Sequence, residues 1–452
     1  MGAPVHRPVP RGGHRGRPAL STAAPAPDPA APAEPALAEP AAARVHAAPA
    51  EPAAADATVS APLAVVLTSG IAYALYFGSI GAWSPYWPVY FAGLGVDLAA
   101  IGVLTAIPAA VQIVAAPAWG LLSDRLGDVR LPLAAASAVC IAAALFMASA
   151  PATAWLFPAV ALLAVGSSAW PPLVDARTVT ALGAQRGRYG QARGIGSAGF
   201  IVASILVGLL VDALGPRVLF GAYVPLVAVA AVWVLVLFGR AGSRPRVVGV
   251  GPVGALRLLR ERTMALMFAG SVLVWAACNG ASAFFSLRLV AQGADAGLVG
   301  VGWAVNALVE IPMMLLFQPL ARRAGVPALI AAGATVLAVR NLGWAVAGSD
   351  LATVGVALLS GVGYALFLVG VTTWLADRVA VSLRATAQAL FLGTAYAIGT
   401  IGGSLGAGWL AGAAGLDAMF YAVAAVALAG AGVTWLAVGR PALSRARGAA
   451  PR

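Results

Sequence analysis

Between residues 62 and 438 the sequence is a succession of twelve apolar stretches, each about as long as a bilayer is thick, joined by short polar connections. An apolar segment needs roughly 20 residues to cross a membrane as a helix. Inside lipid the backbone must satisfy its own hydrogen bonds, which leaves helices as the economical spanning form for such long segments. Composition agrees, with 61% of the chain hydrophobic, 10% charged and a mean hydropathy of +0.90. Soluble domains run at about 45–50% apolar and about 25% charged. A soluble, disordered or collagen-like chain is therefore excluded, and the expected fold class is an all-α membrane protein with 12 transmembrane helices.

The spans are expected near 62–91, 98–121, 131–149, 154–181, 191–212, 219–239, 264–288, 297–319, 327–347, 351–375, 386–412 and 416–438. Residues 1–58 are rich in Ala and Pro, cannot bury a core and read as disordered. They lack the apolar run and cleavage site of a signal peptide. They read either as a cytoplasmic tail or as an extension upstream of the true start. The expected organisation is this tail, a six-helix bundle over 59–239, a polar connection over 240–262, a second six-helix bundle over 263–439 and a tail over 440–452.

The formal net charge is +12, and all 28 basic residues are Arg. The absence of Lys reflects a codon-composition bias and carries no functional message. With the N-terminus inside, 24 arginines fall on inside segments and one, Arg217, on an outside loop, while Arg177, Arg288 and Arg340 lie within spans. This is a strong positive-inside pattern. It places both termini in the cytoplasm and the protein in the cytoplasmic (inner) membrane, and it makes basicity a report on orientation rather than on nucleic acid. Cys140 and Cys278 fall in spans as small apolar packing residues, with no metal-ligand spacing around them. His6, His14 and His46 all precede the first span, so a proton relay within the membrane would have to use carboxylates.

The halves echo each other. Gly120-Leu-Leu-Ser-Asp124-Arg125-Leu-Gly127 follows the second span, and Gln318-Pro-Leu-Ala-Arg322-Arg323-Ala-Gly325 follows the eighth, with Leu, Arg and Gly matching at an offset of 198. Parallel halves related by an axis along the membrane normal are a transporter architecture. The run from Gly120 to Arg130 resembles the loop 2–3 signature of the major facilitator superfamily, and the resemblance covers residues 59–439. It implies that fold, with two pseudo-symmetric halves, alternating access to a central site and monomers as the usual working form. Pro85-Tyr86-Trp87-Pro88, Pro172-Leu-Val-Asp175, Tyr189-Gly-Gln-Ala-Arg193-Gly-Ile-Gly196, Trp303 to Glu310, Arg340 and Arg384-Ala-Thr-Ala-Gln388 together resemble the 3-phenylpropionate-transporter-like branch, near the lactose and nucleoside proton symporters. Asn341 departs from that pattern, where Trp is expected. By resemblance Gly120, Asp124, Arg125, Gly127 and Arg130 form a loop that latches the cytoplasmic side; a permanent structural staple is the alternative. Glycine at 120 and 127 permits close helix approach and a tight turn, and Asp124 suits a helix N-terminus.

Glu310 is the most informative single residue. It lies near the middle of the eighth span, where a carboxylate costs a few kcal/mol unless paired or protonated and where such groups mark ion or substrate pathways. It either couples protons and contacts substrate or forms a structural pair with Arg340, the nearest candidate cation of its half. Asp175 and Arg193 form a second set, either binding substrate and coupling protons or closing a gate near the cytoplasmic end. Arg177 is expected to snorkel to the interface. Gln112, Asn279, Asn306 and Gln388 are candidate pocket-lining polar groups. Tyr73, Tyr76 and Trp83 are candidate aromatic walls, since Tyr76 and Trp83 are seven apart on one helix face.

The expected function is secondary active transport of a small organic solute, by proton-coupled symport of an aromatic carboxylate or a sugar- or nucleoside-like molecule. Arg340 would hold an anionic group of the substrate. Solute, protons and lipid are the expected partners, and no cofactor or metal is expected. A drug/proton antiporter is the alternative. It is disfavoured because the fifth span has Gly196, Gly199 and Gly208 but no Pro before Pro216. A membrane-embedded transferase would need paired carboxylates for a metal and a phosphate. No Asp-x-x-Asp occurs, and Asp124 and Asp128 belong to the signature loop. A non-transporting sensor on the same fold is the remaining rival.

Overall fold

The computed structural model describes residues 52–149, 152–238, 258–379 and 387–448, all of them in helices or short connections. In chain order the helices are α1 (Pro52–Trp83), α2 (Trp87–Gly93), α3 (Leu98–Leu126), α4 (Arg130–Ala148), α5 (Thr153–Ser167), α6 (Trp170–Leu182), α7 (Tyr189–Leu214), α8 (Val218–Leu237), α9 (Arg262–Ala291), α10 (Ala296–Ala324), α11 (Val326–Val346), α12 (Asp350–Arg378) and α13 (Tyr396–Gly448). A π-helical turn at Ala389–Ala395 leads into α13.

Among the described residues, ten helical stretches are long and apolar enough to cross a membrane, and two of them, of 62 and 47 residues, are each long enough to cross twice. The first is broken between α5 and α6 and again by a 3-10 turn at Gly183–Arg188. The second reverses at Gly415, whose φ of 84° suits glycine alone. Twelve crossings result, six before the central connection and six after it. The first helix begins at Pro52, inside the segment expected as an unstructured tail over 1–58, because an Ala-rich run behind an N-terminal Pro favours helix. Likewise α13 continues to Gly448, into the tail expected over 440–452. Residues 1–51, most of the connection at 240–262, and Arg384 lie outside the described residues.

The repeat is written into the helix ends. Asp97 caps α3 by accepting from the Ala100 amide at 2.8 Å, and Asp295 caps α10 by accepting from the Leu298 amide at 2.7 Å. Their separation is the same 198 residues that relates the two loop motifs. Two residues before each cap stands a glycine with positive φ, Gly95 at 81° and Gly293 at 95°. The helices that follow end at Gly127 (61°) and Gly325 (84°). The same turn chemistry thus starts and stops the second and eighth crossings.

We call the face at which α1 begins the near face and the opposite one the far face. At the far face the halves converge. There α3 meets α13 so closely that a Cβ on Gly102 would lie 2.6 Å from the Gly408 Cα, and α7 crosses α10 where a Cβ on Gly208 would lie 2.7 Å from the Tyr86 hydroxyl. Small residues are what permit such approach. One buried apolar cluster joins Trp83, Phe91 and Phe220 of the first half to Phe284, Phe285 and Leu289 of the second. Toward the near face the same helices carry glycines beside open space. A Cβ on Gly120 of α3, on Gly190 or Gly194 of α7, or on Gly393 before α13 would meet nothing within 4 Å. A separate cluster around Tyr73, Leu133, Trp170 and Val174 forms the near-face core of the first half. Within residues 53–448 the two sets of helices meet tightly near the far face, and the open space between them toward the near face is called the cleft.

Candidate functional site

The cleft is lined from the first half by α1, α6 and α7. Pro at the start of α6 and the break after α5 set Asp175 beside α1. The Tyr73 hydroxyl donates to Asp175 Oδ1 at 2.5 Å. Arg193, on the second turn of α7, places Nη1 4.0 Å from the same oxygen. Its guanidinium rests 4.3 Å from the Phe77 ring centre and 5.3 Å from that of Tyr73. The expected Asp175–Arg193 pair therefore forms, but as a long contact held by aromatic stacking. Both side chains keep over a third of their surface open, 37% for Asp175 and 39% for Arg193. Tyr76 stacks on Trp170 at 5.2 Å and donates to the Ser167 carbonyl at 3.1 Å.

The second half contributes α9, α10, α12 and the start of α13. Glu310 is half-buried on α10, at the level where α12 packs in so closely that a Cβ on Gly361 would lie 2.6 Å from the Glu310 amide nitrogen. Among the described residues its carboxylate has neither an ion-pair partner nor a hydrogen bond. The cation whose field reaches it is Arg193 of the opposite half. Tyr364 and Tyr396 meet the Trp275 ring edge-on at 5.2 and 5.3 Å. Asn279 donates to the Trp275 carbonyl at 2.9 Å and accepts from the Tyr396 hydroxyl at 3.5 Å.

Arg340 is not part of this group. It is 2% exposed. It donates to Asn341 Oδ1 at 2.7 Å and to the Cys278 carbonyl and Ser360 Oγ at 3.4 Å each, and it lies 4.2 Å from the Trp344 ring centre. The expected pair with Glu310 does not form. The departure at Asn341 explains part of this, since it gives the guanidinium a neutral acceptor inside the bundle. Trp83 is likewise displaced from its expected place. It is buried among Tyr90, Phe91, Phe220 and Tyr223 near the far face, because the helix side it shares with Tyr76 runs from the cleft onto α8. Asn306 lines a water-sized hollow within the second half with Trp303, Ser282 and Ser360. Gln112 is exposed on α3, and Gln388 is half-buried ahead of the π-helical turn.

In the signature loop, Arg130 pairs with Asp128 at 2.7 Å and Gly127 ends α3 in the left-handed conformation. Asp124 and Arg125 are exposed at the near face, where the halves stand apart. Sequence reasoning missed Phe77, Trp170, Tyr364 and Tyr396, whose aromatic side chains carry no facing signal in a uniformly apolar helix. It also missed Asp212, on the last turn of α7. That residue accepts from the backbone amides of Ala296 at 2.8 Å and Gly297 at 2.7 Å, across the halves. An acid at a helix end looks ordinary until the helix it faces is known.

Among the described residues the cleft offers two carboxylates, one guanidinium and several aromatic faces with hydroxyls. Among the described residues no cluster of three or more His, Cys, Asp and Glu is placed to hold a metal. The MFS_1 like family model matches residues 67–422. The maltose permease of Geobacillus stearothermophilus is 29% identical over 283 residues, which is 60% of this chain and 69% of that protein. Among solved structures, that of the nucleoside transporter NupG superposes with a TM-score of 0.73 at 16% identity, covering 82% of this chain and 98% of that one. A bacterial homologue of the human lysosomal transporter Spinster, solved inward-facing and unoccupied, gives a TM-score of 0.64 at 17% identity, covering 83% of this chain and 97% of that one. At these identities the structures speak to the fold.

Proposed function

Since the chain belongs to the MFS_1 like family of membrane transporters, we propose that it is a proton-coupled symporter of a small polyhydroxylated solute, sugar- or nucleoside-like, working by alternating access. The observation that carries this reading is Glu310, a carboxylate at mid-helix depth that borders the cleft and has no ion-pair partner among the described residues. An unpaired carboxylate at that depth is costly as an anion and much less so when protonated. It can therefore take a proton from one aqueous phase while the cleft faces that phase and release it to the other after the halves rock.

The solute class follows from the surrounding groups. Among the described residues two carboxylates and one guanidinium border the cleft, and Arg340, which could have held a substrate carboxylate, is turned into its own bundle. That balance disfavours an aromatic carboxylate. A neutral polyol can donate to Asp175, accept from Arg193 and lie against Tyr73 and Phe77, the arrangement in which aromatic faces and a few placed polar groups give orientation. The similarity to a maltose permease and to the nucleoside transporter NupG supports the same solute class. With 24 arginines against one, the near face is read as cytoplasmic and the membrane as the cytoplasmic one.

The test is uptake into proteoliposomes with an imposed proton gradient, using a panel of maltosides, disaccharides and nucleosides. Glu310→Gln is expected to abolish accumulation against a gradient while retaining solute exchange at equal pH. Accumulation by Glu310→Gln at the parent level would overturn the coupling assignment.

A further inference from the structure

The two crossings that close the far face are not alike. Where α3 meets α13, the contact is a bare approach of Gly102 to Gly408 and the Ser404 carbonyl. Where α7 meets α10, a carboxylate bridges the halves: Asp212 Oδ1 accepts from the Ala296 amide at 2.8 Å and Oδ2 from the Gly297 amide at 2.7 Å. These are the first two residues of α10, whose leading amides have no acceptor within their own helix and sit at the positive end of its dipole.

Helix integrity does not require this contact. Asp295 already caps α10 through the Leu298 amide, as Asp97 alone caps α3 in the other half. At the other crossing Ser404 and Gly408 meet Gly102 and Leu98 as Ser204 and Gly208 meet Gly300 and Ala296, which puts Gly412, packed on Ala99, where Asp212 stands, so a carboxylate bridges only this one of the two crossings. Its surroundings are fitted to it. A Cβ on Gly297 would lie 3.1 Å from Asp212 Oδ2, and the Tyr86 hydroxyl, which donates to the Ser204 carbonyl, fills the space left bare at Gly208 and Gly300. Parting the halves at the far face must break both of these hydrogen bonds to Asp212.

We propose that Asp212 is a latch: its two-pronged grip on the α10 N-terminus holds the far end of the cleft shut and biases the resting molecule toward the state open at the near face. Charge-assisted bonds of this kind are about twice as strong as neutral ones. The proposal rests on the alternating-access reading, but its test needs neither substrate nor gradient, so it stands or falls separately from Glu310.

The experiment measures maleimide labelling of full-length, detergent-purified protein at one introduced cysteine at a time, with the parent protein as the background. Native Cys140 and Cys278 are buried and stay in place. Ser404→Cys reports the far face from the crossing that Asp212 does not touch, where the residue is 1% exposed. Ser197→Cys, seven residues before Ser204 on the same side of α7, reports the near-face cleft. In Asp212→Asn an amide N–H opposes the Gly297 N–H, and Asp212→Ala removes the grip. Both are expected to speed labelling at 404 on the order of fivefold or more and to slow it at 197. Unchanged labelling at 404, or faster labelling at both sites, would overturn the latch. If both variants fail to elute as monodisperse protein, Asp212 serves folding of α10 and the latch is likewise overturned.

Discussion

Arg340 and Glu310 stand on neighbouring helices of the same half, α11 and α10, and do not pair. Arg340 spends its donors on Asn341, Ser360 and the Cys278 carbonyl, and Glu310 is left to the field of Arg193 across the cleft. The consequence is a division of labour. The second half holds its own cation as an internal staple, and the cation whose field reaches Glu310 comes from the first.

Replacing Arg340 by Gln is therefore expected to lower thermal stability and leave the apparent solute KM within about twofold. The variant strands the Asn341 and Cys278 acceptors, and buried groups left unpaired cost about 1–3 kcal/mol each. Melting curves of purified protein beside uptake kinetics check this, and a large rise in KM without loss of stability would place Arg340 in the solute site.

Asp175 and Arg193 should behave in the opposite way. Their contact is 4.0 Å long and both side chains are more than a third open. Such pairs contribute about 0–1 kcal/mol to stability. Asp175→Asn and Arg193→Gln are expected to keep the melting temperature near that of the parent while lowering solute affinity by about tenfold, an effect of about 1.4 kcal/mol. A double-mutant cycle in stability that exceeds about 1 kcal/mol would contradict this.

Tyr73→Phe removes only the hydroxyl that donates to Asp175 and keeps the ring under Arg193. A single hydrogen bond to a charged group is worth about 1.5–3 kcal/mol. Solute affinity is expected to fall between about tenfold and one hundredfold, with a smaller fall in Asp175→Asn,Tyr73→Phe than the sum of the single changes. Additive losses would mean that the hydroxyl does not act through Asp175.

Two adjacent glycines should respond with opposite sign. A Cβ on Gly403 of α13 would press into the Ala276 backbone of α9, whereas one on Gly402 would meet nothing within 4 Å. Gly403→Ala is expected to destabilise by about 1–3 kcal/mol, as overpacking does. Gly402→Ala is expected to be neutral or to stabilise by up to about 1 kcal/mol, as helix propensity allows. Paired thermal-melt measurements decide it.

Much of the fold was legible because the bilayer makes hydropathy a ruler. The crossings, the reversals at Gly127 and Gly325 and the 198-residue echo all follow from chemistry local to the chain. Asp175, Arg193 and Glu310 were visible for the same reason that makes them costly, namely charge at membrane depth. Arg340 was just as visible and its surroundings were not, since a helix apolar all round gives no clue to which side faces the cleft. Trp83 shows the same gap: seven-residue spacing places it on one side with Tyr76 but does not say that α8 covers that side higher up. Asp212 needed the register between two halves, which no single span contains.

The unlike crossings at the far face also say how it should open. Bare helix surfaces such as those at Gly102 and Gly408 can roll over one another with little change in contact, because dispersion is weak and undirected. Hydrogen bonds to a carboxylate depend steeply on distance and angle. Separation is then expected to start at α7 and α10 and to spread from there to α3 and α13, so that the first aqueous path from the far side runs past Asp212 and the glycine seam around Ser404 parts last.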